Sequence, residues 1–265
     1  MKITWFNKWR AEQVRCRSRY RAQLADLPPA LEPYWRHSAP HEYPGIPTDA
    51  FFFACAAAGL LLFFDAVTYG GKACALPSEA ADSVWHAWLR LDPIGLERFC
   101  ERHFGAAVPH VERTGLGSGA LLNAFAACHA LEGHTSHKLH LPSLFSLDTR
   151  LGMRGGHGYW LHGGRIVYAG TGPCGMGLGR AMPHPELTTD ALYMAGLVDR
   201  QTLATELGRH RLAHDSRDGG CGADIGFALS DGGCDAGGDG GGDDGGGSCG
   251  SSCGGGCGGG CGGGE

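Results

Sequence analysis

The stretch LPSEAADSVWHAWLRLDPIGLERFCERHFG, residues 76–105, determines the central part of the fold. Ser78 follows a proline and precedes an acidic residue, a sequence typical of a helix N-terminus. Apolar side chains then recur every three or four residues up to Asp92-Pro93, which ends one helix and begins the next. A second apolar stripe runs from Leu96 to Phe104. The pattern predicts two short helices that pack against each other as a hairpin.

Four polar side chains of this hairpin form the candidate site. Asp82 and His86 are four residues apart, so both lie on one helix face. Cys100 and His110 lie on the second helix and just after it. Carboxylate, imidazole and thiolate groups are zinc ligands, and four of them complete a tetrahedron, so these residues are candidate zinc ligands. The simpler interpretation, which we favour at this point, is a structural polar cluster; a thiol- or metal-dependent hydrolase centred on the same four residues is a further alternative.

Several short motifs follow one another along this region. They are Leu-Pro-Ser at 76–78, Asp-x-x-Trp-His at 82–86, Phe-Cys-x3-Phe-Gly-x4-His at 99–110, and Leu-Pro-x-Leu-Phe-x-Leu-Asp-x2-Leu-Gly at 141–152. Over about residues 50–159 the chain resembles bacterial glycine-rich domain-containing proteins, which are related to plant proteins with a similar domain. The resemblance implies a compact, mainly helical domain and carries over no reaction.

The run Ala50–Phe64 contains no polar side chain. Its 15 residues would form a helix about 22 Å long, and they are fewer than the about 20 residues that a membrane-spanning helix needs. Asp49 is a suitable N-cap, and Asp65 is expected to end the helix. We therefore expect the core helix of a globular bundle, with a membrane-associated protein as the alternative.

The region after the hairpin combines helical, histidine-rich and β patterns. Apolar spacing predicts a third helix over Leu121–Cys128. Aromatic and β-branched runs on either side of Gly163-Gly164 predict a β-hairpin. Two closing helices are expected over Leu187–Leu197 and Asp199–His214. Clustered imidazoles in one loop either bind Zn, Ni or Cu or form a solvated polar surface; they are His129, His134, His137 and His140.

Residues 215–265 differ in composition from residues 1–214. They hold about half of the 47 glycines, six of the 12 cysteines, and nine acidic residues against Arg217 alone, a formal charge of −8. With −5 for the whole chain, residues 1–214 carry +3. We expect a mainly helical globular domain over 1–214 and a disordered low-complexity tail over 215–265, because the tail has nothing that could bury apolar area.

The tail ends in a repeat with a cysteine at every fourth position: Cys249, Cys253, Cys257 and Cys261. Four thiols on a pliable chain can wrap a soft ion such as Zn(II) or Cu(I). The alternative is an inert or interaction tail.

Charge and cysteine usage restrict the class of function. The overall charge of −5 disfavours nucleic acid as the main partner, although the first 21 residues carry seven basic side chains against Glu12 alone. That segment is either a solvated helix face or a contact for phosphate or anionic lipid. No signal-peptide pattern is visible, and scattered cysteines without one are typical of a reducing cytosol. We expect a cytoplasmic binding or interaction protein rather than an enzyme, with zinc as the candidate cofactor. A membrane location is the alternative. The sequence does not identify a partner, which could be another protein.

Overall fold

The computed structural model describes residues 2–111, 115–134, 139–205 and 208 of the 265-residue chain. This part is mainly helical, as expected, and carries a three-stranded antiparallel sheet. The predicted tail over 215–265, with its cysteine repeat, lies outside the described residues. In chain order the elements are α1 (Lys2–Arg17), α2 (Arg21–Ala25), α3 (Leu31–Glu42), α4 (Ala50–Gly70), α5 (Glu79–Leu91), α6 (Pro93–Phe104), α7 (Ala120–Leu131), α8 (Leu147–Leu151), β1 (His157–His162), β2 (Arg165–Gly170), β3 (Met182–Pro183) and α9 (Thr189–Met194).

Helix α4 lies at the centre of the fold. The Asp49 carboxylate caps its N-terminus by accepting hydrogen bonds from the backbone N–H groups of Phe51 and Phe52. Helices α1, α5, α6, α7 and α8 all contact it, and most of its side chains are buried. The predicted core helix is therefore present, and the elements that carry the candidate site pack directly on it.

The predicted end of this helix at Asp65 is wrong. Helix α4 continues to Gly70 and ends where Gly71 adopts a φ of 57°. Asp65 stays helical because its carboxylate has partners: the Tyr20 hydroxyl donates to it at 2.7 Å, and the Arg19 guanidinium lies 3.8 Å away. The 21-residue helix is long and apolar enough to cross a membrane, but 72% of the residues in its most apolar 18-residue stretch are buried inside the described fold.

The predicted helical hairpin is confirmed in detail. The Ser78 hydroxyl caps α5, and the Asp92 carboxylate caps α6 after a single connecting residue. Gly105 follows the last residue of α6. Trp88 of α5 and Phe99 of α6 meet edge to face with ring centroids 4.8 Å apart. Local capping residues and the two apolar stripes thus account for this part of the fold.

A distant carboxylate also binds the start of α5. Asp148 is 1% exposed, and it accepts hydrogen bonds from the Ser78 hydroxyl at 2.6 Å and from the backbone N–H groups of Glu79, Ala80 and His157 at 2.8–3.0 Å. Burial raises the pKa of this carboxyl, while the donated hydrogen bonds oppose that effect. Asp148 therefore connects α8, the N-terminus of α5 and the first residue of β1.

Helix α7 obtains its cap in the same way. Its N-cap residue, Gly119, offers no side chain. The Glu186 carboxylate, far along the chain, accepts hydrogen bonds of 3.0 Å from the backbone N–H groups of Gly119 and Leu121. The segment after the sheet therefore completes a helix that precedes the sheet.

The predicted β-hairpin is formed by β1 and β2. Tyr159 pairs with Tyr168, and the turn residues Gly163 and Gly164 have φ values of 58° and 86°, which suits a tight two-residue turn. Strand β3 pairs with β2 and was not predicted, because two residues give no periodic signal. The first closing helix is shorter than predicted, covering only α9; the second is described from 200 to 205, and the Asp199 carboxylate caps it.

Candidate metal centre

Asp82, His86 and His110 come together at a cavity beside α5. His86 Nε2 lies 3.2 Å from His110 Nε2. The Asp82 carboxylate reaches both rings, with Oδ2 3.5 Å from His86 Nε2 and Oδ1 3.5 Å from His110 Nε2. In the part of the chain that the structure describes, these residues form the one group of three metal-ligating side chains whose donor atoms lie within 4.8 Å of one another.

The distance between the two imidazole nitrogens suits a tetrahedral ion. Bonds of about 2.0–2.1 Å place tetrahedral ligand atoms about 3.3–3.4 Å apart, whereas octahedral ligands at the same bond length are about 2.9 Å apart. The two Nε2 atoms are 3.2 Å apart, nearer to the tetrahedral value, and each of them has a different oxygen of Asp82 at 3.5 Å. Two imidazoles and one carboxylate are also the donor set of several zinc sites that keep the fourth position open.

Glu42, the last residue of α3, orients the first imidazole. Its Oε2 lies 3.3 Å from His86 Nδ1, and its Oε1 pairs with the Arg90 guanidinium. An acceptor at Nδ1 holds the ring proton there and leaves the lone pair of Nε2 directed at the other ligands. A carboxylate behind a ligating histidine is a recurrent feature of zinc centres.

Tyr43 orients the carboxylate ligand. Its hydroxyl donates a hydrogen bond of 3.1 Å to Asp82 Oδ2. Burial, with the negative charges of Asp82 and Glu79, raises the pKa of Tyr43, so the phenol stays protonated and continues to donate. Asp82 is therefore held by a donor behind it while facing the two imidazoles.

The second imidazole is positioned by an aromatic wall. His110 meets Trp85 edge to face with ring centroids 4.5 Å apart, and Trp85 is almost completely buried. The His110 side chain is 19% exposed, Asp82 is 25% exposed, and His86 is 26% exposed. These values leave room for an ion to enter while much of each ligand is removed from water.

Cys100 is not brought to this group. Its side chain is fully buried, it does not line the cavity, and burial raises its pKa to about 11. The backbone N–H of Val108 hydrogen-bonds to its sulfur, which anchors the segment that carries His110. Of the four predicted ligands, the structure unites three, and Cys100 supports the site from the core.

The three ligands open onto a cavity of about 540 Å³. Its walls are largely apolar, and its polar lining side chains include three carboxylates and two histidines; among the described residues that line it, none is Lys or Arg. The carboxylates are Glu42, Glu79 and Asp82, and the principal apolar residues are Phe63, Val67, Leu76, Trp85, Val108 and Leu116.

Sequence reasoning missed Glu42, Tyr43 and Glu79 as parts of the site. Glu42 lies 44 residues before His86, and Tyr43 lies 39 residues before Asp82. No local pattern links residues so far apart, because their meeting depends on how α3 packs on α5.

The expected histidine loop is divided between α7, which carries His129, and the segment after it, which carries His134 and His140. His134 lies 5.1 Å from His129 and 4.8 Å from His140 between ring centroids, and Glu132 accepts a hydrogen bond from His134. Burial and the two neighbouring imidazoles lower the pKa of His129. His137 lies outside the described residues. The three described rings do not place one donor atom each within 4.8 Å of the others, as Asp82, His86 and His110 do.

Comparisons with protein-family models, with curated proteins and with solved structures found no match. The likeness to glycine-rich domain-containing proteins therefore stays a prediction.

Proposed function

We propose that this protein binds a zinc ion through Asp82, His86 and His110, and that the ion holds a small ligand at its open position. The observation that carries the proposal is the convergence of these three side chains, which place one donor atom each within 4.8 Å of the others. The Glu42 carboxylate, which accepts from His86, and the Tyr43 hydroxyl, which donates to Asp82, support it because they orient two ligands from behind.

The cavity favours one class of ligand. Its apolar walls suit an apolar body, and the ion would accept a single oxygen or nitrogen donor. Glu79 adds negative charge, the Glu42 carboxylate is paired with Arg90, and the described lining residues include no Lys or Arg to bind an anion. We therefore expect a neutral molecule with an apolar body and one donor atom.

Metal analysis of the full chain tests this proposal. The wild type should retain about one zinc ion more per chain than a His86→Ala/His110→Ala variant, since the loss of two ligands removes the site. His37→Ala is the matched control, because His37 is exposed on α3 and outside the cavity. A variant with Ser at the four tail cysteines separates the tail's contribution. Equal zinc content in wild type and the double-histidine variant would reject the proposal.

Metal-dependent hydrolysis is a second candidate function. An open position on zinc can hold a water molecule and lower its pKa to about 7. Glu79 lines the same cavity one helical turn before Asp82 and is paired with His157 at 3.1 Å, which makes it the candidate general base for that water. Zinc-loaded protein should then cleave a neutral p-nitrophenyl ester, and Glu79→Gln should slow cleavage without reducing zinc content. Equal rates with and without zinc would exclude this function. The buried Cys100 thiol gives no support to the thiol-dependent alternative.

Metal association through Cys249, Cys253, Cys257 and Cys261 is a separate proposal, which rests on the sequence alone because these residues lie outside the described ones. A cytoplasmic location is proposed on similar grounds. The described cysteines are free thiols, in keeping with a reducing compartment; they are Cys16, Cys55, Cys74, Cys100, Cys128 and Cys174.

A further inference from the structure

Helix α1 packs on the protein through its small residues. Ala11 is fully buried and lies in a cluster with Ala50 and Ala54 of α4, with Val14 at its edge. Small side chains let the two helices approach closely, but they bury little apolar area. The large side chains of α1 therefore lie elsewhere on the helix.

Three large aromatic residues occupy the opposite, solvent-facing side. Trp5 is 70% exposed, and Phe6 and Trp9 are each 49% exposed. The Phe6 and Trp9 rings stack with centroids 5.9 Å apart, and Trp5 lies one turn before Trp9 on the same face. A soluble surface rarely exposes such a contiguous aromatic patch, and one rimmed by polar residues marks an interaction site. We call Trp5, Phe6 and Trp9 the aromatic patch.

Two basic side chains, Lys8 and Arg10, lie beside this patch on α1. The first 21 residues carry seven Lys and Arg side chains against Glu12 alone, a formal charge of +6, of which Arg15 is paired with Glu32 and Arg19 with Asp65. Lys8 is exposed between the aromatic residues, and Arg10 lies over the Phe51 ring at 3.5 Å and the Phe6 ring at 5.7 Å. Tryptophan, with an apolar body and a polar N–H, prefers the boundary between lipid headgroups and acyl chains. Lys and Arg beside it are attracted to anionic headgroups.

We propose that the aromatic patch binds the surface of an anionic phospholipid membrane, with α1 lying in the plane of the interface. A second copy of the chain is a poor occupant, because the basic side chains of the two segments would face each other. Single-stranded nucleic acid is the competing anionic occupant, and the experiment below distinguishes it from a membrane. This inference is independent of the zinc site, because none of these residues lines the cavity.

Vesicle flotation of the full chain tests the inference. Vesicles of phosphatidylcholine with about one-third phosphatidylserine should retain the protein, and vesicles of phosphatidylcholine alone should retain it at least about tenfold less. A Trp5→Ala/Trp9→Ala variant should lose about tenfold or more of its binding to the anionic vesicles. Tyr69→Ala is the matched control, since Tyr69 is 63% exposed at the far end of α4. Circular dichroism of each variant checks that the fold is kept.

Binding that is absent, equal for both vesicle compositions, or unchanged in the double-tryptophan variant would overturn the inference. So would a dimer, detected by light scattering after gel filtration, that depends on Trp5 and Trp9. Tryptophan-dependent binding to single-stranded DNA in place of the anionic vesicles would also overturn it.

Discussion

The Ser78 hydroxyl donates a 2.6 Å hydrogen bond to the carboxylate of Asp148, seventy residues later in the chain. Asp148 also accepts from three backbone N–H groups, so it joins the helix that carries the candidate ligands to the start of the sheet. Replacing it with Ala would leave those donors buried without an acceptor. We expect Asp148→Ala to lower the free energy of unfolding by about 3 kcal/mol, measured by urea denaturation.

Asp190→Ala provides the comparison for this change. Asp190 is exposed in the first turn of α9, and its loss should cost less than about 1 kcal/mol. If both variants unfolded at the same urea concentration, Asp148 would not have the structural role assigned to it.

Glu42→Gln tests how the first imidazole is oriented. The amide keeps the shape of the side chain but removes the charge that holds the proton at His86 Nδ1. We expect zinc affinity to fall by about 10–100-fold, as measured by competition with a chromophoric chelator. Glu97→Gln, on the exposed side of α6, should leave the affinity unchanged. Equal zinc affinity in the two variants would show that Glu42 does not support the metal site.

Cys100→Ser tests whether the thiol is a metal ligand. Since Cys100 lies in the core and hydrogen-bonds with Val108, a hydroxyl at that position should leave zinc affinity within about twofold of wild type. Iodoacetamide at pH 8 should label Cys16 and Cys174, which are exposed, well before Cys100, whose pKa is raised to about 11. Peptide mass spectrometry measures the order of labelling. A large loss of zinc affinity in Cys100→Ser would show that Cys100 is a metal ligand.

The open coordination position predicts a spectroscopic response. Cobalt-loaded protein should change its visible spectrum when 4-phenylimidazole, a neutral apolar donor, is added, and it should respond much less to acetate. Leu116→Trp fills part of the cavity without touching a ligand, so it should weaken the response to 4-phenylimidazole by about tenfold or more while cobalt remains bound. An unchanged response in that variant would place the open position outside the cavity.

His129 predicts a dependence of stability on pH. Burial and the nearby His134 and His140 rings lower its pKa below the ordinary value of 6.5, and Glu132 opposes that shift. Between the folded and unfolded pKa values the unfolded chain binds more protons, so the free energy of unfolding falls as the pH drops below about 6.5. His129→Phe should therefore flatten the slope between pH 7 and pH 5. His37→Phe, at an exposed position, should keep it. A slope unaffected by His129→Phe would contradict the assignment.

Local signals in the sequence predicted the parts of the fold that depend on neighbouring residues. The caps at Ser78 and Asp92 and the Gly163-Gly164 turn were found because each acts within a few residues of its own position. The true end of α4 was missed because Asp65 is stabilised by Tyr20, which no pattern along α4 reveals.

The candidate site divides in the same way. Asp82 and His86 could be paired from their helical spacing, and His110 from its place just after the hairpin. Cys100 was predicted as a fourth ligand, but it lies in the core and does not line the cavity. An apolar stripe along a helix does not show whether its members face a cavity or the core. Glu42 and Tyr43 required tertiary packing to be recognised.

Helices α5 and α7 begin with backbone groups that are satisfied by Asp148 and Glu186, both made later on the ribosome. A nascent chain that has emerged only to residue 140 therefore contains Asp82, His86 and His110 but neither of these closing carboxylates. During synthesis the hairpin should stay loosely packed until the last third of the domain has been translated. The site is therefore completed late in co-translational folding.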